Sequence, residues 1–258
     1  MQTVAKLSKM WIVGLLLVSS NAASAAITYD DEVTPGIIFG SGNANGGFTI
    51  DRENGVELGL RGKLRHNASG LAENTFNSNG DGTYTFQAIV APTQSSPTAE
   101  WSFEWSINTD FDGSSGFTLD DLTFELALDT DPTAGVSFYS FDLIHDESSP
   151  GVVYWDHSMG DNFSDAASDY IAADEASYLA ALSSYNVAQN SWKPHWFIPG
   201  FDPELLGEYT LSLSAYNGSA LVASTSIMVN TVPEPSTLAL LGLSGMFGTA
   251  VYLRCRWA

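Results

Sequence analysis

A short acidic segment carries side chains whose types and spacing could bind a metal ion. Carboxylate and hydroxyl oxygens fall at its first, third, fifth and twelfth positions and could converge on one calcium ion; these residues are Asp110, Asp112, Ser114 and Asp121. Glycine is missing at the sixth position, and the twelfth is Asp rather than the longer Glu. An acidic hairpin turn explains the same residues and is favoured, because turns select Asp, Ser and Gly. Calcium is therefore a weak candidate, and no other metal or cofactor is expected.

An aromatic segment near the end of the chain could bind sugar rings. Four aromatic side chains fall between positions 192 and 201, and Trp192 and Trp196 are the candidates for ligand contact. Exposed, they would form a stacking platform for a polysaccharide; buried, they would fill one end of a β-sandwich. Burial is favoured, because Trp and Phe contribute large apolar areas to a core.

No pattern assigns a catalytic residue. The sequence has neither a Gly-x-Ser-x-Gly nucleophile motif nor a His-Glu-x-x-His zinc helix, and its four histidines are widely separated. Glu100 and Glu104 would lie on one strand face about 13 Å apart, at about 3.3 Å per residue. That separation exceeds the roughly 5 to 9.5 Å that glycoside hydrolysis uses, so the pair is rejected. A glycan hydrolase that draws carboxylates from distant strands is the less favoured alternative to a protein without enzymatic activity.

Alternating apolar and polar residues predict the strands that must position these groups. In residues 56–65 the apolar side chains share one face, and Arg61, Lys63 and Arg65 share the other. The sequence therefore predicts that this basic strip is the solvent face of one strand. Further strands are predicted over 101–107, 122–128, 209–215 and 221–229, with other candidates at 36–40, 48–51, 83–90, 136–144 and 152–155.

Turn and helix signals complete the expected architecture. Asn217-Gly218 predicts a type I′ hairpin turn before the last strand. Residues 164–185 predict a helix, because they are rich in Ala and place apolar residues at helical spacing. Eight or more strands with Gly-, Asn- and Asp-rich turns predict a mainly β fold. The expected fold is an antiparallel β-sandwich or a jelly-roll-like domain with one helical insertion.

The charge balance excludes one class of partner. The 258 residues include 30 Asp and Glu but 9 Lys and Arg, a formal charge of −21, so a protein that binds duplex nucleic acid is excluded. Residues 26–232 hold 29 of the acidic residues and 5 of the basic ones. A solvated acidic surface explains this balance. The alternative is that the basic strip binds an anionic glycan, or that the acidic surface binds divalent cations.

Residues 1–25 have the pattern of a signal peptide. Basic residues precede an apolar run, and Ala23 and Ala25 occupy the −3 and −1 positions of a cleavage site. The continuous apolar run of eight residues is too short for a membrane span, which needs about 20. An exported domain is therefore expected over residues 26–231. Its sequence contains no cysteine, so core burial alone must hold it.

The C-terminus predicts a membrane span and a topology signal. Residues 236–253 contain no charged side chain, and as a transmembrane helix they would rise about 27 Å, close to the thickness of a bilayer core. Arg254 and Arg256 follow, and basic residues mark the cytoplasmic side of a span. The preceding chain would then lie outside the cytoplasm, in agreement with the signal peptide.

Pro233, Glu234 and Pro235 stand just before this span. Proline fixes φ and lacks an N–H donor, so this stretch stays extended and accessible to a peptidase. A Pro-Glu-Pro sequence, an uncharged span and terminal arginines, in that order, resemble the PEP-CTERM sorting signal over residues 232–258. The resemblance implies recognition of Pro-Glu-Pro by an exosortase, a membrane-embedded transpeptidase-like enzyme, in a bacterium that makes exopolysaccharide and biofilm matrix. A tail anchor that is never processed is the alternative.

Together these patterns predict an exported bacterial surface or extracellular-matrix protein without enzymatic activity. It would lie in the envelope membrane as a precursor and reach the cell surface or matrix after sorting. The expected partners are an exosortase and the membrane, with no nucleic acid. The alternative function is binding of an exopolysaccharide, either directly or through calcium.

Overall fold

The computed structural model describes residues 26–146 and 156–234, which form two β-sheets and one short helix. The strands are β1 (Thr28–Asp31), β2 (Phe48–Glu53), β3 (Val56–Leu64), β4 (Thr83–Gln87), β5 (Trp101–Asn108), β6 (Thr123–Asp129), β7 (Phe138–Phe141), β8 (Ser158–Gly160), β9 (Val187–Trp192), β10 (Gly207–Asn217) and β11 (Ala220–Val232). The helix α1 is Glu175–Leu182, and short 3₁₀ turns lie at Leu119–Asp121 and Pro194–Trp196. The prediction of a mainly β fold is confirmed.

The strand order defines one antiparallel sheet and one mixed sheet. The first sheet has the order β1-β2-β3-β5-β9-β8, and the second has the order β4-β11-β10-β6-β7. Neighbouring strands are antiparallel, except that β4 runs parallel to β11. The expected antiparallel pairing therefore fails for this pair. Parallel neighbours need a long connection, and the many residues between β4 and β11 provide it.

Apolar side chains from both sheets share one core. Trp101 on β5 lies with its ring centroid 6.1 Å from that of Tyr209 on β10 and 6.0 Å from that of Phe86 on β4, both in the other sheet. Fully burying one large apolar side chain contributes about 1.5 to 3 kcal/mol. The alternation seen in the sequence therefore explains why the two sheets pack against each other.

The prediction that the basic strip of β3 faces solvent is wrong. Arg61 and Lys63 are 0% and 1% exposed. Residues 33–47, here called the covering segment, lie across the outer face of the first sheet. Their apolar side chains pack with Phe48 and Ile50 of β2 in a second, smaller core. Both faces of β3 are thus covered, although its sequence alternates like that of a half-buried strand.

Polar side chains of the first sheet hold the backbone of the covering segment. The amide of Ile38 donates to Gln189 Oε1 at 2.9 Å, and the amide of Thr34 donates to Glu57 Oε1 at 2.6 Å. Arg61 Nη1 donates to the carbonyl of Ala44 at 3.0 Å. A covering loop needs partners for its buried backbone groups, and the outward polar residues supply them.

The helix is shorter than the predicted range of 164–185. It begins at Glu175, because the carboxylate of Asp174 caps it and accepts a hydrogen bond from the amide of Ser177 at 2.8 Å. Before the helix, Asp161 and Asp165 accept hydrogen bonds from nearby backbone amides and hold turns. Short polar side chains compete with helix formation in this way.

Several strand boundaries also differ from prediction. Residues 36–40 belong to the covering segment rather than to a strand, and the strands predicted at 83–90 and 136–144 shorten to β4 and β7. The turn between β10 and β11 has Gly218 and Ser219 at its centre. Only Gly218 has a positive φ, 60°, which is the pattern of a type II′ turn rather than type I′.

Other predictions concern the membrane span and residues that the structure does not describe. Within residues 26–146 and 156–234, no helix is long and apolar enough to cross a membrane. Outside the described residues lie Ala23, Ala25, Pro235, Arg254, Arg256, the predicted strand at 152–155 and the predicted span at 236–253.

Candidate functional site

The Pro-Glu-Pro segment leaves the domain directly from β11, which has 13 residues. This strand pairs with β10 on one side and, along residues 228–232, with β4 on the other. The amide of Gly207 donates to Thr231 Oγ1 at 2.7 Å, and the amide of Ala88 donates to the carbonyl of Val232 at 2.8 Å. The chain is therefore held on both sides up to Thr231, and on the β4 side up to Val232.

Pro233 marks the end of this pairing. Proline has no N–H to donate, so the ladder cannot continue through it. A cavity of about 390 Å³, here called the exit cavity, lies beside this point. Its lining includes Leu64, Phe86, Gln87, Glu100, Val232 and Pro233. The Pro-Glu-Pro segment thus begins at the wall of the exit cavity.

Glu100 places a buried carboxyl group at the exit cavity. The amide of Gln87 donates to Glu100 Oε1 at 2.6 Å. Burial raises the pKa of Glu100, the hydrogen bond from Gln87 opposes this, and the negative charge of Glu234 raises it further. The first two residues of Pro-Glu-Pro therefore lie close to a carboxyl group of the domain.

The predicted calcium residues are occupied by local hydrogen bonds. Asp110 and Asp112 accept from backbone amides within residues 114–116 at 2.9 to 3.0 Å, and the donor to Asp112 is the amide of Ser114. Asp121 accepts from the amide of Thr118 at 2.8 Å, at the start of a 3₁₀ turn. In the part of the chain that is described, no three His, Cys, Asp or Glu side chains are grouped to hold a metal ion. Calcium binding at these residues stays a prediction.

The two candidate tryptophans differ in burial. Trp192 is 2% exposed, and its ring centroid lies 5.2 Å from that of Trp105 and 4.8 Å from that of Phe197. Trp196 ends a 3₁₀ turn and is 40% exposed. The aromatic segment does not form a single platform, because Trp192 fills the core while Trp196 presents its indole to solvent.

The basic residues of the domain differ in their partners. Arg52, Arg61 and Lys63 all form ion pairs with carboxylates. Arg65 and Lys193 form none with any of the described residues. No pattern in the sequence connects Arg65 with Lys193, because they belong to distant segments. Only the order β3-β5-β9 brings these segments to one end of the first sheet.

Comparison with known proteins identifies the segment that leaves β11. Residues 231–256 match the family model described as the PEP-CTERM protein-sorting motif. The chain is therefore a β-sheet protein with a C-terminal sorting motif, and the resemblance stated from the sequence is confirmed. This motif is that of an exosortase substrate, and it implies export, membrane-associated sorting and an exosortase as processing partner. No curated protein and no solved structure matches the chain.

Proposed function

We propose that the protein is a surface or extracellular-matrix protein that an exosortase processes, and that its β domain has a structural or interaction role without enzymatic activity. The observation that carries this proposal is the position of the motif, which follows the last strand at once. Cleavage at or after Pro-Glu-Pro would remove no residue from either sheet. The domain would therefore stay folded after sorting.

Attachment through β11 suits a protein that is held at a surface. β11 is an interior strand, paired with β10 from Ala220 to Thr231 and with β4 near its end. Tension applied at Pro233 would act along the strand, and many backbone hydrogen bonds on both sides would share it. An edge strand would offer pairing on one side only.

Buried polar groups of the domain support a role without catalysis. His157 is completely buried, and its Nε2 lies 2.8 Å from the carbonyl of Leu143. Glu57 and Glu104 are both buried in ion pairs with arginines. These groups hold the chain in its fold, whereas a catalytic acid or base needs access to a substrate.

The test is processing of the full chain in the producing bacterium. We expect the wild-type protein to lose its C-terminal segment and leave the membrane fraction. A Pro233→Ala/Glu234→Ala/Pro235→Ala variant should keep its full mass and stay in the membrane fraction. The matched control is Pro199→Ala, which changes an exposed loop proline and should be processed normally. Equal processing of the triple variant, or of wild type in a strain without exosortase, would refute the proposal.

Binding of an exopolysaccharide is the second candidate function. One observation favours it: the exposed indole of Trp196 lies beside Lys193, whose Nζ is 5.9 Å from the ring centroid. Aromatic faces bind the apolar faces of sugar rings, and a neighbouring cation would add selectivity for charge. Sorting and glycan binding are compatible, because they use different parts of the molecule.

A further inference from the structure

Arg65 and Lys193 carry positive charge that the described chain does not neutralise. The domain has 29 acidic and 5 basic residues between positions 26 and 232. Even so, the acidic groups of the described residues pair with the other three cations and leave these two without an ion pair. The two charges also repel each other. Burial lowers the pKa of Lys193 most, and the positive charge of Arg65 lowers it further. An anionic ligand would remove this repulsion.

An exposed aromatic side chain lies beside Lys193. Lys193 immediately follows β9, and its Nζ lies 5.9 Å from the ring centroid of Trp196. Trp196 is 40% exposed. We call Arg65, Lys193 and Trp196 the cation-indole surface. It combines charge with an apolar ring face, a combination that an inorganic anion would not use.

A cavity and two unpaired imidazole nitrogens lie next to this surface. The cavity is about 300 Å³, at the lower end of the range for small-molecule sites, about 300 to 1,000 Å³. Its lining includes Pro97, His195, Trp196, Pro199 and Phe201. His195 Nδ1 is buried and has no hydrogen-bond partner among the described residues.

The second unpaired nitrogen belongs to His66. Its Nδ1 lies 3.3 Å from the carbonyl of Gly70, so Nδ1 carries the hydrogen and the buried Nε2 is an acceptor without a partner within the described chain. Burial lowers the pKa of both His66 and His195, and the charge of Lys193 lowers each of them further. At neutral pH these lowered pKa values keep both rings uncharged, so the positive charge of this surface comes from Arg65 and Lys193.

We propose that the cation-indole surface binds a uronic acid unit of an anionic polysaccharide. The sugar carboxylate would bind the Arg65 guanidinium and the Lys193 ammonium, and the apolar face of the ring would stack on Trp196. A nucleic acid would need many cations along its phosphate backbone, whereas two cations match a single carboxylate. This inference rests on the second candidate function and names its substrate class.

The test is binding of the full-length chain, purified in detergent, to polygalacturonate and to its methyl ester. The two polymers have the same ring, but the ester lacks the charge. We expect binding to polygalacturonate at least about tenfold tighter than to the ester, since a charged hydrogen bond contributes about 1.5 to 3 kcal/mol. Lys193→Gln and Trp196→Ala should each weaken it by about tenfold. Lys193→Arg should keep it.

A matched control tests whether binding needs this site or only an exposed aromatic side chain. Phe163 is 94% exposed, so Phe163→Ala tests loss of an exposed aromatic ring outside the cation-indole surface. It should bind like wild type, and all variants should unfold at the wild-type temperature. Equal binding of polymer and ester, no binding of either, or equal losses in Phe163→Ala and Trp196→Ala would overturn the proposal. Processing at Pro-Glu-Pro is measured separately, so failure of glycan binding leaves the sorting proposal intact.

Discussion

Arg61 lies on β3, and Arg65 follows the end of this strand four residues later. The surroundings of the two side chains differ completely. Arg61 Nε donates to Glu104 Oε2 at 2.7 Å, and its guanidinium carbon lies 4.2 Å from the ring centroid of Phe48 and 4.0 Å from that of Phe76. Arg65 is partly exposed and has no carboxylate partner within the described residues. The two arginines differ because the covering segment lies over Arg61 and not over Arg65.

Whether a charged side chain stabilises the fold or stays accessible to a ligand depends on what covers it. Removing a charge from water costs several kcal/mol, so a buried cation needs a carboxylate and hydrogen-bond acceptors. Arg61 obtains both, from Glu104 and from the carbonyls of the covering segment. Arg65 is partly exposed and forms no ion pair with the described residues, so its guanidinium does not hold the fold in this way.

The largest expected effect is loss of the buried cation. Arg61→Met should lower the free energy of unfolding by about 3 kcal/mol, because it leaves the Glu104 carboxylate buried with Lys63 as its one remaining cation. Arg65→Met, the same change at the other site, should alter it by less than about 0.5 kcal/mol. Urea denaturation of both variants checks this, and similar losses in the two would contradict the comparison.

A triple variant distinguishes the lost charge balance from lost packing. Arg61→Met/Lys63→Met/Glu104→Leu removes all three buried charges together. Buried ion clusters can often be replaced by apolar residues without net loss, so this variant should be more stable than Arg61→Met alone. If it is no more stable, the guanidinium contacts with the covering segment are the larger contribution.

A smaller effect is expected from crowding beneath the covering segment. A Cβ added at Gly59 would lie 2.8 Å from Val33 Cγ1 and 3.1 Å from Phe48 Cδ1. Gly59→Ala should therefore lower the free energy of unfolding by about 1 to 3 kcal/mol, the usual cost of overpacking. Gly135→Ala, at an exposed glycine without a positive φ, is the control and should have little effect. A neutral Gly59→Ala would mean that the covering segment does not press on β3.

The smallest effect is a change in pH dependence at Glu100. Glu104 pairs with two cations, whereas Glu100 accepts a hydrogen bond from the Gln87 amide. Burial raises the pKa of Glu100 above 4.5, so the folded protein holds this proton more tightly than the unfolded chain. The resulting stabilisation is present at low pH and is lost as the pH rises through the folded-state pKa.

Glu100→Gln removes this dependence, since glutamine does not titrate but can still accept the hydrogen bond. Relative to wild type, the variant should gain stability as the pH rises from about 4.5 through the folded-state pKa of Glu100. Urea denaturation at several pH values measures the difference. A difference that stays constant with pH would show that burial does not raise the pKa of Glu100.

Much of the inner layer can be predicted from alternation. The apolar residues of β3, β5 and β10 face a core because a period of two places them on one side of each strand. The limits of α1 could not be predicted from composition, because Asp161, Asp165 and Asp174 bind nearby amides and set them locally. The outer face of β3 could not be predicted from the alternation of β3, because its burial depends on how residues 33–47 fold back over the sheet.

The sorting motif and the β character of the domain follow from local sequence order. Both depend on local order: Pro233 and Glu234 are recognised as part of a linear motif, and strand faces follow from alternation. The tertiary structure alone decided which cations are buried and which are free. It placed the covering segment over Arg61 and brought Arg65 near Lys193, because strand pairing joins residues that are far apart in the chain.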